Sequence, residues 1–385
     1  MRALLVLALV IAGCRSVSDS VPAQGSDAAA LPGVWSAFRG GPTHTGAGPG
    51  ALPIERPELV WEFDTGGTVE SSPTVVDGWL VCGTFANHLF ALDAESGEER
   101  WRFRVEGLVR ASPSVVDGRV YFGADDNRFY ALELATGAEL WSIQLEDGGE
   151  QSSPAIVDGR CFFGGFDGYV YAADAKSGAI AWRFRTDGAI LSSPAVVDGL
   201  VAIGSQDGYV YGLEALSGDV RFRFKCEDVV WSSPAIHDGL VVFGSDDGHV
   251  YALDAATGAE RWRHKTGGAV FSSPAIDVEN RVVYVGSDDH SLRALELASG
   301  RLRWSTDLKG RVLGSPALVG HHLYVGGEGA GGDQPGALFC LDRRDGSFVW
   351  RYEIGATVWS SPIVVGDSLW FGAHDGHIRR LREAQ

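Results

Sequence analysis

The sequence has little that would build a helix, a redox centre or a nucleophilic site. No segment of its repeated region sustains a 3.6-residue apolar period, and a glycine falls every few residues, which excludes helical architectures. Five cysteines are scattered over 385 residues with no C-x-x-C and no adjacent pair. That argues against a disulfide framework or a zinc knot. H-E-x-x-H and G-x-S-x-G are both missing, so zincin and nucleophile-elbow chemistry have no support. Positive charge is short: 32 Lys and Arg against 50 Asp and Glu leave a formal charge of −18. This excludes nucleic acid and a polybasic membrane patch.

What the chain does have is a repeat. Ser-Pro marks recur with prolines at Pro73, Pro113, Pro154, Pro194, Pro234, Pro274, Pro316 and Pro362, spaced 40 to 46 residues apart. A fixed period in this range signals a solenoid, a propeller or an array. The cleanest copy is SSPAIHDGLVVFGSDDGHVYALDAATGAERW, from Ser232 to Trp262. Asp238-Gly239, Asp247-Gly248 and Thr257-Gly258 break it into four short β-rich runs: A (Ser233–Ile236), B (Leu240–Gly244), C (His249–Asp254) and D (Ala259–Lys265). Asp-Gly between such runs is a hairpin signal, so each copy reads as a four-stranded antiparallel meander. One such sheet cannot bury both faces, but eight arranged radially can. The expected fold is all-β, an eight-bladed β-propeller.

The ends of the array support a closed ring. The first copy is only a D strand, residues 58–64, and the last copy stops after its C strand. Pairing the two supplies the outer strand of blade 8 and removes the open edges. A single closed ring of this kind predicts a monomer. An aromatic mark also recurs: Trp61, Trp101, Trp141, Trp182, Phe222, Trp262, Trp304 and Trp350. Eight copies around a ring fit packing between neighbouring blades, not the stacking of one cofactor.

Ahead of the ring, one arginine and the apolar run Ala3–Ala12 read as a signal peptide, because the run is too short to span a bilayer. Ile11-Ala12-Gly13-Cys14 resembles a bacterial lipobox, which implies cleavage after residue 13 and a lipid on Cys14. Arg15 follows the cysteine where an aspartate would signal retention in the inner membrane, so the expected location is the outer membrane with the propeller facing the periplasm. Residues 14–34 are polar and small and read as a lipidated cysteine on a flexible tether. Residues 35–57 form a denser leader that opens WSAFRGGPTHTG, and 58–385 are the propeller.

That leader, the repeated A-L-D-A-x-T/S-G-x-x-x-W and the Ser-Ser-Pro marks resemble the PQQ-like eight-bladed propeller family. Its members include the BamB-type lipoproteins of outer-membrane protein assembly and the quinoprotein alcohol dehydrogenases. The resemblance covers residues 58–381 and implies the fold. It implies either a non-enzymatic scaffold for protein partners, with outer-membrane assembly as the nearest role, or a PQQ-dependent dehydrogenase. The dehydrogenases hold PQQ and calcium with acidic ligands and often a vicinal disulfide. Here no cysteines are adjacent and the blades are short, so the scaffold is the expected reading, with no cofactor, no metal and no catalytic residue.

Function in a repeat protein belongs where the copies differ. The residue before each Ser-Ser-Pro mark differs in nearly every copy: Glu70, Arg110, Gln151, Leu191, Trp231, Phe271, Leu313 and Trp359. Meander topology puts these at the mouth of the central funnel, on the same face as the B–C loops. Blades 1–3 contribute polar groups and blades 4–8 apolar ones, a rim suited to anchoring a protein partner. Other motifs carry less. Gly327–Gly332 satisfies G-x-G-x-x-G but is followed by a strand, not a helix, and reads as an enlarged B–C loop in blade 7. Asp125-Asp126, Asp246-Asp247 and Asp288-Asp289 read as hairpin turns, not calcium loops. Cys82, Cys161 and Cys340 align with core strand positions and Cys226 with the end of a D strand. His88, His249 and His377 share one repeat position, the start of strand C.

Overall fold

The computed structural model describes residues 36–46, 52–146, 149, 152–329 and 336–385. The signal peptide, Cys14, the tether, Trp35 and Gln151 lie outside the described residues, as does most of the blade 7 insertion. The described strands form eight four-stranded antiparallel sheets. In blade 5 these are A (Ala235–His237), B (Leu240–Ser245), C (His249–Asp254) and D (Glu260–Lys265). Strand A starts two residues later than the sequence suggests. The reason is chemical: proline offers no N–H to a ladder, and the serines ahead of it hydrogen-bond between blades.

The expected closure is present. The strand Pro57–Asp64 pairs antiparallel with His377–Glu383, with Asp64 opposite His377, and completes blade 8. The apolar core divides into eight clusters, essentially one at each seam between neighbouring blades. The recurring aromatics sit at these seams. Trp101 Nε1 donates to Leu134 O of the next blade (2.8 Å), and Trp262 Nε1 to Leu297 O (2.8 Å). Each ring lies under the glycine of the next blade's C–D turn. At Gly300 a Cβ would meet Trp262 Cε3 at 2.5 Å, and φ is +67°, so only glycine fits. Trp350 meets the closing segment instead and donates to Ile54 O (2.7 Å). Trp141 Nε1 is buried with no partner, and Phe222 has no N–H to place.

Further out on strand D, two residues past the aromatic mark, a phenylalanine fills four of the seams. Phe63 lies against Phe90 of the next blade (5.3 Å between centroids), Phe103 against Tyr130 (5.5 Å), Phe184 against Tyr211 (5.3 Å) and Phe224 against Tyr251 (5.5 Å).

Inside the ring, the second serine of each mark links blade to blade. Ser72 N donates to Ser112 Oγ (2.9 Å), and the pattern continues blade by blade until Ser361 N returns to Ser72 Oγ (2.9 Å). The result is an unbroken circle of eight bonds. The four cysteines of the ring are free and buried, as the alignment of Cys82, Cys161 and Cys340 with core positions implies for those three.

Candidate functional site

The leader sits inside the ring. Strand A is innermost, so alternate N–H groups on its free edge point into the channel. Five leader carbonyls accept from them: Ser36 O from Val115 N, Pro42 O from Val196 N, Thr43 O from Ile236 N, Thr45 O from Ile276 N and Gly46 O from Leu318 N, at 2.7–3.0 Å. The segment therefore tracks round the channel wall from blade 2 to blade 7. Arg39 is 3% exposed and donates to His44 O (3.1 Å), Ser273 O (2.9 Å) and Pro274 O (2.7 Å). His44 is buried, and its Nδ1 bonds Pro234 O at 3.1 Å. A carbonyl only accepts, so Nδ1 carries the proton. Burial, helped by the Arg39 charge, pulls the His44 imidazole down to about 3, so the ring is neutral. Gly46 has φ +69°, and a Cβ there would lie 2.6 Å from Arg39 Nη2.

Chain continuity puts this plug on the A–B hairpin side. Beyond residue 51, Leu52 N donates to Gly366 O in the blade 8 A–B turn (2.7 Å), before the closing strand begins. The opposite end of the channel is a cup whose lip is built from D–A and B–C loops. These loops are tied together in every blade. The N–H at the tip of each B–C loop donates to the D–A loop entering that blade, from Phe85 N to Thr68 O (2.9 Å) in blade 1 to His374 N to Thr357 O (3.0 Å) in blade 8.

Seven of the eight divergent residues stand on this lip. Glu70, Arg110, Leu191, Trp231, Phe271 and Leu313 are half-buried, and Trp359 is 38% exposed. Gln151 is not among the described residues. On the side of blades 8, 1 and 2 a chain of contacts crosses two seams. Trp359 packs on His374 (5.0 Å between ring centroids), and His374 Nε2 lies 3.4 Å from Glu70 Oε1. Glu70 Oε2 meets Arg110 Nη1 at 3.5 Å, and Arg110 Nε donates to Asp125 Oδ2 at 3.0 Å, with its guanidinium 4.4 Å from the Phe85 ring. On the far side Trp231 meets Phe271 edge-on at 6.0 Å.

A second ring of divergent residues, which sequence reasoning passed over, lies at the B–C tips: Phe85, Asp125, Phe166, Gln206, Asp246, Asp288, Glu328 and His374. It corrects two expectations. The Asp-Asp pairs are not explained by turns alone. The second aspartate is structural: Asp247 Oδ2 accepts from Glu227 N (3.1 Å) and from the Tyr251 hydroxyl (2.8 Å). The first aspartate is different. Asp125, Asp246 and Asp288 each keep one buried oxygen without a hydrogen bond, as Asp126 does among the second aspartates. Burial raises all three carboxyls. Asp246 is pushed up to about 7, first by burial and then by Asp228 and Asp288. Arg110 opposes the shift at Asp125 and Arg311 at Asp288.

The lip is also not split cleanly into polar and apolar halves. Asp246, Asp288 and Glu328 bring carboxylates into the aromatic half, where Arg311 lies 3.2 Å from Glu328 and 3.8 Å from Asp288. His88, His249 and His377 each bond within their own loop: to Ala86 O (2.6 Å), Asp247 Oδ1 (3.2 Å) and Asp375 O (3.1 Å). Chemically, the cup offers aromatic faces, protonatable carboxyls and one held cation on each side. Among the described residues no group of three or more His, Cys, Asp or Glu stands close enough to hold a metal ion.

Comparison with known proteins adds the following. The family model described as outer membrane protein assembly factor BamB matches residues 54–166, 166–278, 246–332 and 288–385. The crystal structure of BamB from Moraxella catarrhalis superposes with a TM-score of 0.71 at 17% identity, over 85% of this chain and 98% of that one. A europium-containing methanol dehydrogenase gives 0.78 at 14% identity, over 90% and 91%. The quinohemoprotein alcohol dehydrogenase from Comamonas testosteroni gives 0.77 at 15%, over 94% and 82%. At these identities the superpositions establish the fold alone. No curated protein sequence matches significantly.

Proposed function

Because the chain belongs to the family of the outer membrane protein assembly factor BamB, we propose that it is a non-enzymatic scaffold that holds a protein partner in the cup, within outer-membrane protein assembly. One observation carries this reading. Trp359 stands 38% exposed beside His374, and Trp231 and Phe271 are half-buried and meet edge-on, with Asp246 and Asp288 on the same lip each keeping one buried oxygen without a hydrogen bond. Exposed aromatic anchors ringed by polar groups are the composition of a binding hot spot. The leader closes the channel behind them, so a partner docks on a floored cup and does not thread the ring.

A lipid on Cys14 places the propeller at the periplasmic face of the outer membrane in this reading. No helix among the described residues is long and apolar enough to cross a membrane. PQQ and calcium have no part in it. A shift in absorbance or melting temperature on titration with both would overturn that exclusion.

The test is crosslinking on intact cells, then capture with the full-length protein and with a Trp231→Ala, Trp359→Ala variant. The variant keeps the wild-type circular dichroism and melting curve and loses the captured partners. An unchanged set of captured proteins would sink the proposal.

A further inference from the structure

The lip cages one arginine and offers a second cage without one. At blades 1 and 2 the Arg110 guanidinium lies 4.4 Å from the Phe85 ring, with Glu70 Oε2 3.5 Å from Nη1 and Asp125 Oδ2 3.0 Å from Nε. One aromatic face and two carboxylates, drawn from neighbouring blades, surround a single cation. At blades 5 and 6 the same components stand in exchanged positions. The D–A loops supply Trp231 and Phe271, which meet edge-on at 6.0 Å, and the B–C tips supply Asp246 and Asp288. The four loops here are 226–231, 245–248, 266–271 and 287–290. They hold Glu227, Asp228, Asp246, Asp247, Asp288 and Asp289, and no lysine or arginine.

Those acids are not equally engaged. Asp289 Oδ1 accepts from Arg293 Nη1 (2.9 Å), and Asp247 Oδ2 accepts from Glu227 N and the Tyr251 hydroxyl. Asp246 and Asp288 each keep a buried oxygen with no hydrogen bond. Arg311 reaches in from blade 7, but it lies 3.2 Å from Glu328 and 3.8 Å from Asp288, so two carboxylates share it. For Asp246 the charges that act most strongly are Asp228, Asp288 and Asp247, all negative. The Trp231 indole N–H stands beside the Asp246 carboxyl. This seam of the lip therefore joins an aromatic face to two carboxyls with a surplus of negative charge.

We propose that the seam takes an arginine side chain from a partner polypeptide, with its guanidinium against Trp231 and between Asp246 and Asp288, a step that rests on the reading of the cup as a docking site and names the residue that docks. The sign follows from charge. Crowded, half-buried carboxylates repel one another, and an incoming cation removes that cost as it binds. The kind of cation follows from the ring. A planar guanidinium stacks on an indole and offers N–H groups to two separate carboxyls at once, which a lysine ammonium does not. Arg110 shows the same combination satisfied within the chain, on the opposite side of the cup.

NMR of the tryptophan indole N–H groups in the full-length protein tests it, by titration with N-acetyl-Gly-Arg-Gly-amide and with the same peptide carrying neutral citrulline in place of arginine. The arginine peptide moves the Trp231 resonance, assigned by its absence from Trp231→Leu, and the citrulline peptide binds at least about tenfold more weakly. Asp246→Asn with Asp288→Asn weakens the arginine peptide at least about tenfold. Asp158→Asn with Asp198→Asn removes the same charge from exposed A–B turns and leaves binding unchanged. Equal binding of the two peptides overturns the proposal, and so does undiminished binding by the Asp246→Asn, Asp288→Asn variant. Equal loss in the two double variants also overturns it, since the attraction would then be to the acidic molecule as a whole. The same shift with calcium chloride alone overturns it as well, because the site would then take a metal ion. Crosslinked capture separates this result from the fate of the cup. Partners kept by Asp246→Asn, Asp288→Asn but lost by Trp231→Ala, Trp359→Ala leave the cup standing and remove the arginine anchor.

Discussion

His44 makes the leader sensitive to acid. In the folded ring its imidazole is neutral, with a pKa of about 3 set first by burial and then by the Arg39 charge, while the bond to Pro234 O works in the opposite direction. In the unfolded chain the same group titrates near 6.5. Between those values the unfolded chain binds a proton that the folded chain refuses, so stability falls as pH falls. The slope approaches about 1.4 kcal/mol per pH unit, and roughly 2.3 kcal/mol is lost from pH 6.5 to 4.5. Paired carboxylates such as Asp254, whose pKa is lowered to about 2, begin to lose their contribution only below the ordinary carboxylate range.

The perturbation is His44→Asn. The backbone there has φ 56°, which asparagine tolerates, and the amide can still donate to Pro234 O. Urea unfolding at pH 7.5, 6.5, 5.5 and 4.5 reads the effect. At pH 7.5 the variant is the less stable, because it loses the edge contact of the ring with Phe38 (5.4 Å). Below pH 6.5 the gap closes by about 1.4 kcal/mol per unit and then reverses. Hydrogen exchange at the Ile236 and Ile276 amides, which the leader covers, locates the loss. Parallel pH profiles for the two proteins would refute the reasoning, since they would mean that the imidazole titrates alike in both states.

Two further outcomes follow from the seams and the lip. Trp101→Phe removes a 2.8 Å bond to Leu134 O and costs about 1 kcal/mol, whereas Trp141→Phe removes an unpartnered buried N–H and is neutral or stabilising, as paired thermal melts will show. Asp246 is held protonated up to about pH 7, so its burden on the fold appears as pH rises from the ordinary carboxylate range through 7. Asp246→Asn is therefore expected to gain stability relative to wild type at pH 8 and to lose that advantage at pH 5, in the same unfolding assay.

The period of the repeat made the blades, their order and the strand exchange legible, because every one of those features is written eight times or is conspicuous by being left out once. The leader was not legible as a plug. It binds through its own carbonyls, which any sequence supplies, and the buried Arg39 is satisfied by carbonyls and not by a carboxylate whose presence could be read. Asp246 and its neighbours were readable in principle. The divergence that picked out Trp231 holds equally at the B–C tips, but the flanking Asp247-Gly248 looked sufficient as a turn.

The closing strand and the leader share a kinetic consequence. Both need partners made much later in the chain: Asp64 waits for His377, and Gly46 for Leu318. Separations of roughly three hundred residues make these contacts slow to find. During synthesis the closing strand stays unpaired while blades 1 to 7 assemble behind it. The last event in folding is thus performed by a strand made before any blade. Until it happens, blade 8 presents a bare edge and the inner strands present open amides, the surfaces on which two unfinished copies would join.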